Sequence, residues 1–361
     1  MEGYHYYAYV KEKTLKEYCT DIFCKAGMRR EDAACVADNL VFADMCAMES
    51  HGSIRMPAYE KRLTEKGTYA DTSPVVVQET DTTALIDGCN AMGQVVSKKA
   101  MELCIEKAKK SGVAFVAVRG SNHFGMASYY SEMAIEHDMI GMTFTSPAAH
   151  LMAPTGGIEP ILDNNPFSFA VPAGKELPVV LDMATSVVAR GKIGVALNKG
   201  EKIPKTWAMT IDGRETDDPR EAFDGILLPA GGYKGYGLTV IVGILSAVLS
   251  GGAILSKDVK DFYADVTEEQ NIGHLFGCIK IERFMEPSLF KQHMDEMIEE
   301  IKGCKKAPGV EEIILPGERE FKWRMEYAKT GVPLTENTYK ALVELGNKYG
   351  LPELETIRTM K

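Results

Sequence analysis

The sequence predicts a mixed α/β chain of the α+β kind, with helix-rich ends around a strand-rich centre. Three observations carry that expectation. Apolar residues recur at helical spacing near both ends. The middle third is instead a succession of short apolar runs punctuated by Asn, Asp, Gly and Pro. Few helices separate those runs, too few for a regular βαβ alternation, so a doubly wound sheet is not inferred.

Thr14-Leu15-Lys16-Glu17 has the form of a capping box. Leu15, Tyr18, Cys19, Ile22 and Phe23 follow at helical spacing, and Gly27 sits where a C-cap belongs. A second helix is expected over 31–48, with Val36, Leu40, Val41 and Met45 among its apolar positions. It stops just before Ser50-His51-Gly52, which places a polar cluster at a helix end. A short helix over 57–64 follows. Strands are expected at 75–77, 84–86, 113–118, 140–145, 167–171 and 179–181. Helices are expected over 94–110, closed by Gly112, and over 126–136. After Gly231 the pattern turns helical again, over 236–250, 287–302 and 336–349. The expected organisation is a discontinuous helical domain over 1–75 and 225–361, with a return to the sheet near 260–285. A sheet domain occupies 76–224.

Composition narrows the function classes. The chain has 361 residues and a net charge of −10, which argues against non-specific nucleic-acid binding. The N-terminal dozen residues lack the apolar core of a signal peptide, so a cytoplasmic location is expected. Eight scattered cysteines without a CxxC pair are then reduced thiols, and seven scattered histidines show no metal-site spacing, so no metal is expected. The uncharged stretch 238–255 is long enough to enter the membrane-spanning range, but its glycines and serines favour a buried core helix, and no membrane association is expected.

Three constellations could carry chemistry. Glu49-Ser50-His51-Gly52-Ser53-Ile54-Arg55 sets a hydroxyl, an imidazole and a guanidinium within seven residues, and Arg55 could grip a carboxylate with two parallel hydrogen bonds. The alternative is helix capping by Ser50 beside a surface arginine. Gly120-Ser121-Asn122-His123-Phe124-Gly125 puts a histidine at a strand–loop–helix junction, a good place for a general base. The alternative is a turn histidine bonded to backbone. Gly231-Gly232-Tyr233-Lys234-Gly235-Tyr236-Gly237 is glycine-rich, carries one lysine and leads into a helix, which suits a phosphate or carboxylate, or else a flexible turn. The dinucleotide fingerprint GxGxxG and the phosphate-loop pattern are both absent.

Taken together, these segments resemble the type-2 malate/L-lactate dehydrogenase family, which includes ureidoglycolate, sulfolactate and diketogulonate dehydrogenases and cyclic imino-acid reductases. The resemblance spans nearly the whole chain. It runs through Ser50-His51-Gly52-Ser53-Ile54-Arg55, Ser121-Asn122-His123-Phe124-Gly125, Pro154-Thr155-Gly156-Gly157 and Asn165-Pro166. It continues through Asp182-Met183-Ala184-Thr185-Ser186, Lys234-Gly235-Tyr236-Gly237 and Pro316-Gly317-Glu318-Arg319-Glu320. It implies a nicotinamide-binding fold unrelated to the Rossmann fold, and an active site at the interface of a homodimer, between a helical domain and a sheet-based cofactor domain. By motif, His123 is the catalytic acid–base, and Ser50, His51 and Arg55 face the substrate. Asp182, Met183, Ala184, Lys234 and Gly235 contact the dinucleotide, and Gly317, Glu318 and Arg319 complete that site. Ser146 falls near a family substrate position, beside a loop over 147–153 that is expected to be longer than the family's. Many members have Gly-Thr-Asn-Pro where this chain has Asp163-Asn164-Asn165-Pro166, and Met45-Cys46-Ala47-Met48 lacks a glycine common there.

The resemblance thus implies hydride transfer between NAD, with NADP the alternative, and a small 2-hydroxy or 2-keto acid of the malate or L-lactate type. A ureidoglycolate or sulfolactate dehydrogenase, or an imine or keto-acid reductase, is the rival within the class. A cofactor-independent hydrolase or lyase, disfavoured by the absence of a GxSxG elbow, and a non-catalytic metabolite binder stand outside it.

Overall fold

The computed structural model describes residues 6–146 and 149–360. The chain enters through β1 (Tyr6–Val10), α1 (Glu12–Lys25) and α2 (Arg30–Met45). Two 3-10 turns, Glu49–His51 and Ser53–Arg55, lead into α3 (Met56–Thr64). Then come β2 (Val75–Glu79), β3 (Thr83–Asp87), α4 (Gly93–Ser111), β4 (Val113–Ser121), α5 (Ser128–Glu132), β5 (Met139–Thr145), β6 (Phe167–Val171) and β7 (Val179–Met183). A small layer follows, built from α6 (Arg190–Lys199), β8 (Ala208–Met209), α7 (Pro219–Phe223) and β9 (Ile226–Leu227). The remainder is α8 (Tyr233–Gly243), β10 (Ile272–Lys280), α9 (Pro287–Gly303), α10 (Glu318–Thr330), β11 (Val332–Thr335), α11 (Glu336–Lys348) and β12 (Arg358–Thr359).

Two sheets organise most of these elements, and β8 and β9 pair with each other apart from them. The larger has seven strands in the order β2-β3-β4-β10-β5-β6-β7, with β3 and β4 parallel and every other neighbouring pair antiparallel. This is not a Rossmann sheet. Its central strand comes from late in the sequence. The smaller sheet, β11-β1-β12, ties the two ends of the chain together. One core lies beside it, drawing Leu15, Ile22, Phe23 and Leu40 from the early helices and Val332, Leu334 and Leu342 from the late elements. A second core packs α4 and α5 against the large sheet through Val96, Met101, Val116, Tyr130 and Phe276.

Four local expectations are corrected. The capping box does not cap: α1 begins at Glu12, behind Lys11, whose side chain makes no cap bond. Strand β1 draws Val10 into the core and delivers the chain straight into the helix, leaving Thr14 inside it. The helix expected over 126–136 shrinks to α5 and a 3-10 turn, Ile135–His137, because the chain reverses through left-handed Asp138 to start β5. The expected return to the sheet near 260–285 narrows to β10, whose bounds and central position were not read because Gly273 and Gly277 interrupt its apolar run. Those glycines have a physical purpose. A Cβ at Gly273 would lie 2.3 Å from the Ser246 carbonyl, and one at Gly277 would lie 2.6 Å from the Phe115 ring. The stretch 238–255, finally, is buried on one face alone. It forms α8 and a π-helical turn, Ile244–Val248, that set Val242 and Ala247 on the sheet. Leu238, Ile241, Ile244, Val248 and Leu249 stay exposed. No described helix is long and apolar enough to cross a membrane.

Candidate active site

His123 lies just beyond the C-terminal end of β4, in a turn held from three sides. The Asn122 amide donates to Asn90 Oδ1 and to the Ala91 carbonyl, both at 2.9 Å. The start of α4 abuts the turn so closely that a Cβ at Gly93 would lie 2.2 Å from the Asn122 carbonyl. Gly125 has φ +79°, and its missing side chain leaves room for the Asn39 amide. The His123 N–H donates to Gln270 Oε1 at 3.3 Å. Its ring packs 5.1 Å from the Phe262 ring, and its Nδ1 lies 2.6 Å from the Tyr59 hydroxyl.

His51 arrives from the other core. After α2 the chain turns through left-handed Ala47 into the first 3-10 turn. Asp44, at the end of α2, accepts the Ser53 N–H at 2.9 Å. This contact needs glycine at 52, where a Cβ would fall 1.8 Å from Asp44 Oδ1. Within the turn, Ser50 Oγ lies 2.9 Å from His51 Nδ1, and Arg55 Nε donates to the Ser50 carbonyl at 2.5 Å. The Arg55 guanidinium also lies over the Tyr263 ring, 5.3 Å from its centre.

These two segments, about seventy positions apart in sequence, meet face to face. The rings of His51 and His123 stack with centroids 5.7 Å apart and planes inclined by 24°. Burial, and then the positive charge of Arg55, lower the His51 pKa to about 3 and push His123 well below its ordinary value. Both rings are therefore neutral at physiological pH. Pairing Arg55 with an anion would remove part of the field that holds His123 down, so an acidic ligand would make that ring more basic.

The residues expected to face a dinucleotide lie next to this cluster. A cavity of about 360 Å³ is lined by Met48, Met126, Ser128, Asp182, Gly317 and Arg319 among others. Met48 borders the His51 turn, and Met126 follows the His123 turn. Asp182, on β7, accepts the Ser128 N–H at 2.7 Å, and burial raises its pKa to about 6. Gly317 has φ +85°, and a Cβ there would lie 2.8 Å from Val180, so the turn before α10 lies flat on β7. Glu318 turns away: its carboxylate pairs with Lys302 at 2.8 Å and Lys322 at 2.9 Å, which hold its pKa at about 2. The segment after Asp182 joins the glycine-rich start of α8. The Ala230 N–H donates to the Thr185 carbonyl, and the Thr239 hydroxyl donates to the Thr185 hydroxyl at 2.7 Å. Met183 and Ala184 thus sit between the cavity wall and that start. Gly235 packs on Ala230, where a Cβ would meet its carbonyl at 2.2 Å, while Lys234 is exposed on the first turn of α8.

These residues fit a nicotinamide dinucleotide. A cation stands in the cavity. Three residues beyond Asp182, Thr185 bonds to the start of α8, an N-terminus with no side-chain cap, where Cβ atoms at Gly231, Gly232 and Gly237 would meet nothing within 4 Å, so a ligand can approach the backbone.

Ser146 is placed differently. It is buried, and its hydroxyl accepts the Gly273 N–H while its own N–H donates to the Gly273 carbonyl, both at 2.9 Å. It closes the β5–β10 ladder. Of the loop 147–153, residues 147 and 148 lie outside the described residues.

The structure adds residues that were not singled out from sequence. Tyr59 stands four positions after Arg55, a helical spacing that by itself reads as core. Phe262, Tyr263 and Gln270 come from a loop with no local signal. Arg62 fastens that loop: its buried guanidinium donates to the carbonyls of Gly67, Asp265 and Glu268 at 2.7–3.1 Å.

The family model described as malate/L-lactate dehydrogenase matches residues 10–343. A malate dehydrogenase of Pyrococcus abyssi is 42% identical over 359 residues, covering 97% of each chain. An L-sulfolactate dehydrogenase of Methanocaldococcus jannaschii is 44% identical over 344 residues, covering 95% of this chain and 97% of that one. The solved structure of the sulfolactate dehydrogenase from that organism superposes with a TM-score of 0.90 at 42% identity, covering 97% of this chain and 100% of its own. A ureidoglycolate dehydrogenase (NAD(+)) of Escherichia coli O157:H7 is 33% identical over 334 residues, covering 92% of this chain and 95% of its own. A sheet that is not a Rossmann sheet, a stacked histidine pair beside an arginine and full-length likeness to these enzymes lead to one conclusion: the chain belongs to the malate/L-lactate dehydrogenase family, oxidoreductases that act on 2-hydroxy acids.

Proposed function

We propose that this chain oxidises a small 2-hydroxy acid of the malate or L-lactate type, and reduces the matching 2-keto acid, with His123 as the acid–base group. The observation that carries the reading is the stacking of His51 on His123 beside Arg55. Arg55 Nε is engaged by Ser50, which leaves the outer edge of the guanidinium for a carboxylate. Such a clamp orients the substrate with its hydroxyl toward the two imidazoles. His123 accepts the hydroxyl proton during oxidation and returns it during reduction. His51, held by Ser50, positions the same oxygen. The nicotinamide, when bound, takes or gives the hydride. Relatives called sulfolactate dehydrogenases make a sulfonate-bearing hydroxy acid the nearest alternative substrate.

The cofactor's place in this reading is the cavity of Asp182, Gly317 and Arg319, with Met183 and Ala184 behind it and Lys234 and Gly235 at the start of α8. Glu132, Asp182 and Glu320 outnumber Arg319 among its charged lining residues, which supports NAD over NADP, because a 2′-phosphate would meet carboxylates. The exposed apolar face of α8 supports a homodimer.

The test is a spectrophotometric panel of 2-hydroxy and 2-keto acids with both cofactors, on wild type and on His123→Ala. We expect turnover of at least one 2-hydroxy acid, faster with NAD. The substitution should lower kcat by about 10²–10⁴-fold and leave cofactor affinity within about twofold. Undiminished turnover in His123→Ala would remove that ring from the mechanism.

A further inference from the structure

We propose that Tyr59 is a positioning residue that fixes the tautomer of His123, leaving Nε2 as the ring nitrogen that exchanges protons with substrate. This rests on the reading of His123 as the acid–base group and adds a residue to it.

The geometry is specific. Tyr59 is 2% exposed, and its hydroxyl lies 2.6 Å from His123 Nδ1. Phe262 meets the Tyr59 ring edge-on at 5.4 Å, so the phenol cannot swing away without disturbing the core. With Nδ1 engaged, substrate is left to Nε2.

A neutral imidazole carries one N–H, and which nitrogen holds it decides the chemistry. If the Tyr59 O–H donated a hydrogen bond to an unprotonated Nδ1, Nε2 would carry the N–H and face an alcohol as a donor, unable to take its proton. If Nδ1–H donates to the Tyr59 oxygen, Nε2 presents a lone pair and is a base. The second arrangement requires an acceptor for the Tyr59 O–H. Gln94, in the first turn of α4, is fully buried with its side chain near the Tyr59 hydroxyl, and it lowers the phenol's pKa, as an amide N–H turned toward the oxygen does. Among the described residues, neither its amide nitrogen nor its amide oxygen has a hydrogen-bond partner. A buried amide left idle is costly, and turning it over, which exchanges nitrogen for oxygen in the same envelope, sets its carbonyl against the Tyr59 O–H as the acceptor that the relay needs. With the amide turned over, the chain runs from His123 Nδ1–H to the Tyr59 oxygen, 2.6 Å away, and from the Tyr59 O–H to Gln94 Oε1.

The proton count closes without moving any proton along this chain. During oxidation the substrate carbon loses hydride to the nicotinamide and its hydroxyl loses a proton to Nε2. The ring becomes an imidazolium, and its Nδ1–H bond to Tyr59 is strengthened by the charge. Tyr59 keeps its own proton throughout. Arg55, His51, His274 and Arg62 also face His123 electrostatically, and a change at Tyr59 leaves all four in place.

The experiment is nitrogen-15 NMR of the labelled full-length enzyme, assigning the His123 ring by its loss in His123→Ala. We expect wild type to show the Nδ1–H tautomer at pH 7. Tyr59→Phe should convert the ring to a mixture or to Nε2–H and lower kcat by about 10²-fold. It should shift the acid limb of the kcat/KM profile and leave cofactor affinity unchanged. Gln94→Met, which keeps volume but removes the acceptor, should move the tautomer in the same direction. An Nε2–H signal in the wild-type enzyme would overturn the inference without any variant, as would Tyr59→Phe and Gln94→Met spectra identical to wild type. Either result, with His123→Ala still inactive, leaves the acid–base reading standing. A His123→Ala enzyme of full activity would sink that reading itself.

Discussion

Asp44 and Gly52 show how much of this site depends on single residues outside it. Asp44 is buried, and burial raises its pKa to about 7, well above the ordinary carboxylate range. Below about pH 4 both folded and unfolded chains hold the proton. Between there and 7 the unfolded chain releases it while the native state keeps it. Stability from this group is therefore complete in acid and lost as pH rises through about 7. Asp44→Asn retains an acceptor for the Ser53 N–H and has no proton to lose. Its stability relative to wild type should improve with pH, more at pH 8 than at pH 5, as read from urea midpoints. A pH-independent difference would show that Asp44 is not the titrating group. At this scale the sequence was legible for polar residues in short motifs: Ser50, His51, Arg55 and His123 stand out because imidazole and guanidinium groups clustered in loops have few structural reasons to be there. Tyr59 did not stand out, because a tyrosine at helical spacing reads as core until its hydroxyl is seen on an imidazole.

At the scale of elements, the loop between α8 and β10 matters most. It brings Phe262 and Tyr263 onto the histidine pair, and Gln270 onto the His123 backbone. Arg62 is its anchor. Truncating Arg62→Ala removes the donor to the Phe262, Asp265 and Glu268 carbonyls and one of the two donors to the Gly67 carbonyl, and should cost about 2 kcal/mol of stability. The freed loop should also raise KM for the acid substrate several-fold while cofactor affinity holds. Chemical denaturation and steady-state kinetics on the same variant check both. A variant as stable as wild type would mean that water replaces the guanidinium at no cost. A return to the sheet near 260–285 was read from sequence, but the loop's place and the bounds and central position of β10 were not, and for one reason. Gly273 and Gly277 lower strand propensity, yet they let the π-helical turn and Phe115 approach the strand.

For the whole molecule, the unresolved burden is an apolar face. Ile241 is 54% exposed and Leu249 61%, on a surface continuous with the glycine-rich start of α8. Exposed apolar patches on a helix of this kind mark association surfaces. Light scattering should find a dimer in solution. Ile241→Lys combined with Leu249→Glu should shift it to monomer at micromolar concentration, with turnover falling alongside. A wild-type monomer that is fully active would refute the proposed dimer.

The sequence by itself determined the α+β class, the positions of most helices and strands, and the family, because these follow from local periodicity and from short contiguous motifs. Only the tertiary structure decided that β10 enters the centre of the sheet and that His51 lies on His123. Tyr59, Arg62 and Phe262 likewise gained their places there. Those outcomes depend on close approaches between distant segments, set by side-chain volume and by the absence of a Cβ at a few glycines. A one-dimensional pattern of apolar and polar residues holds no record of such distances.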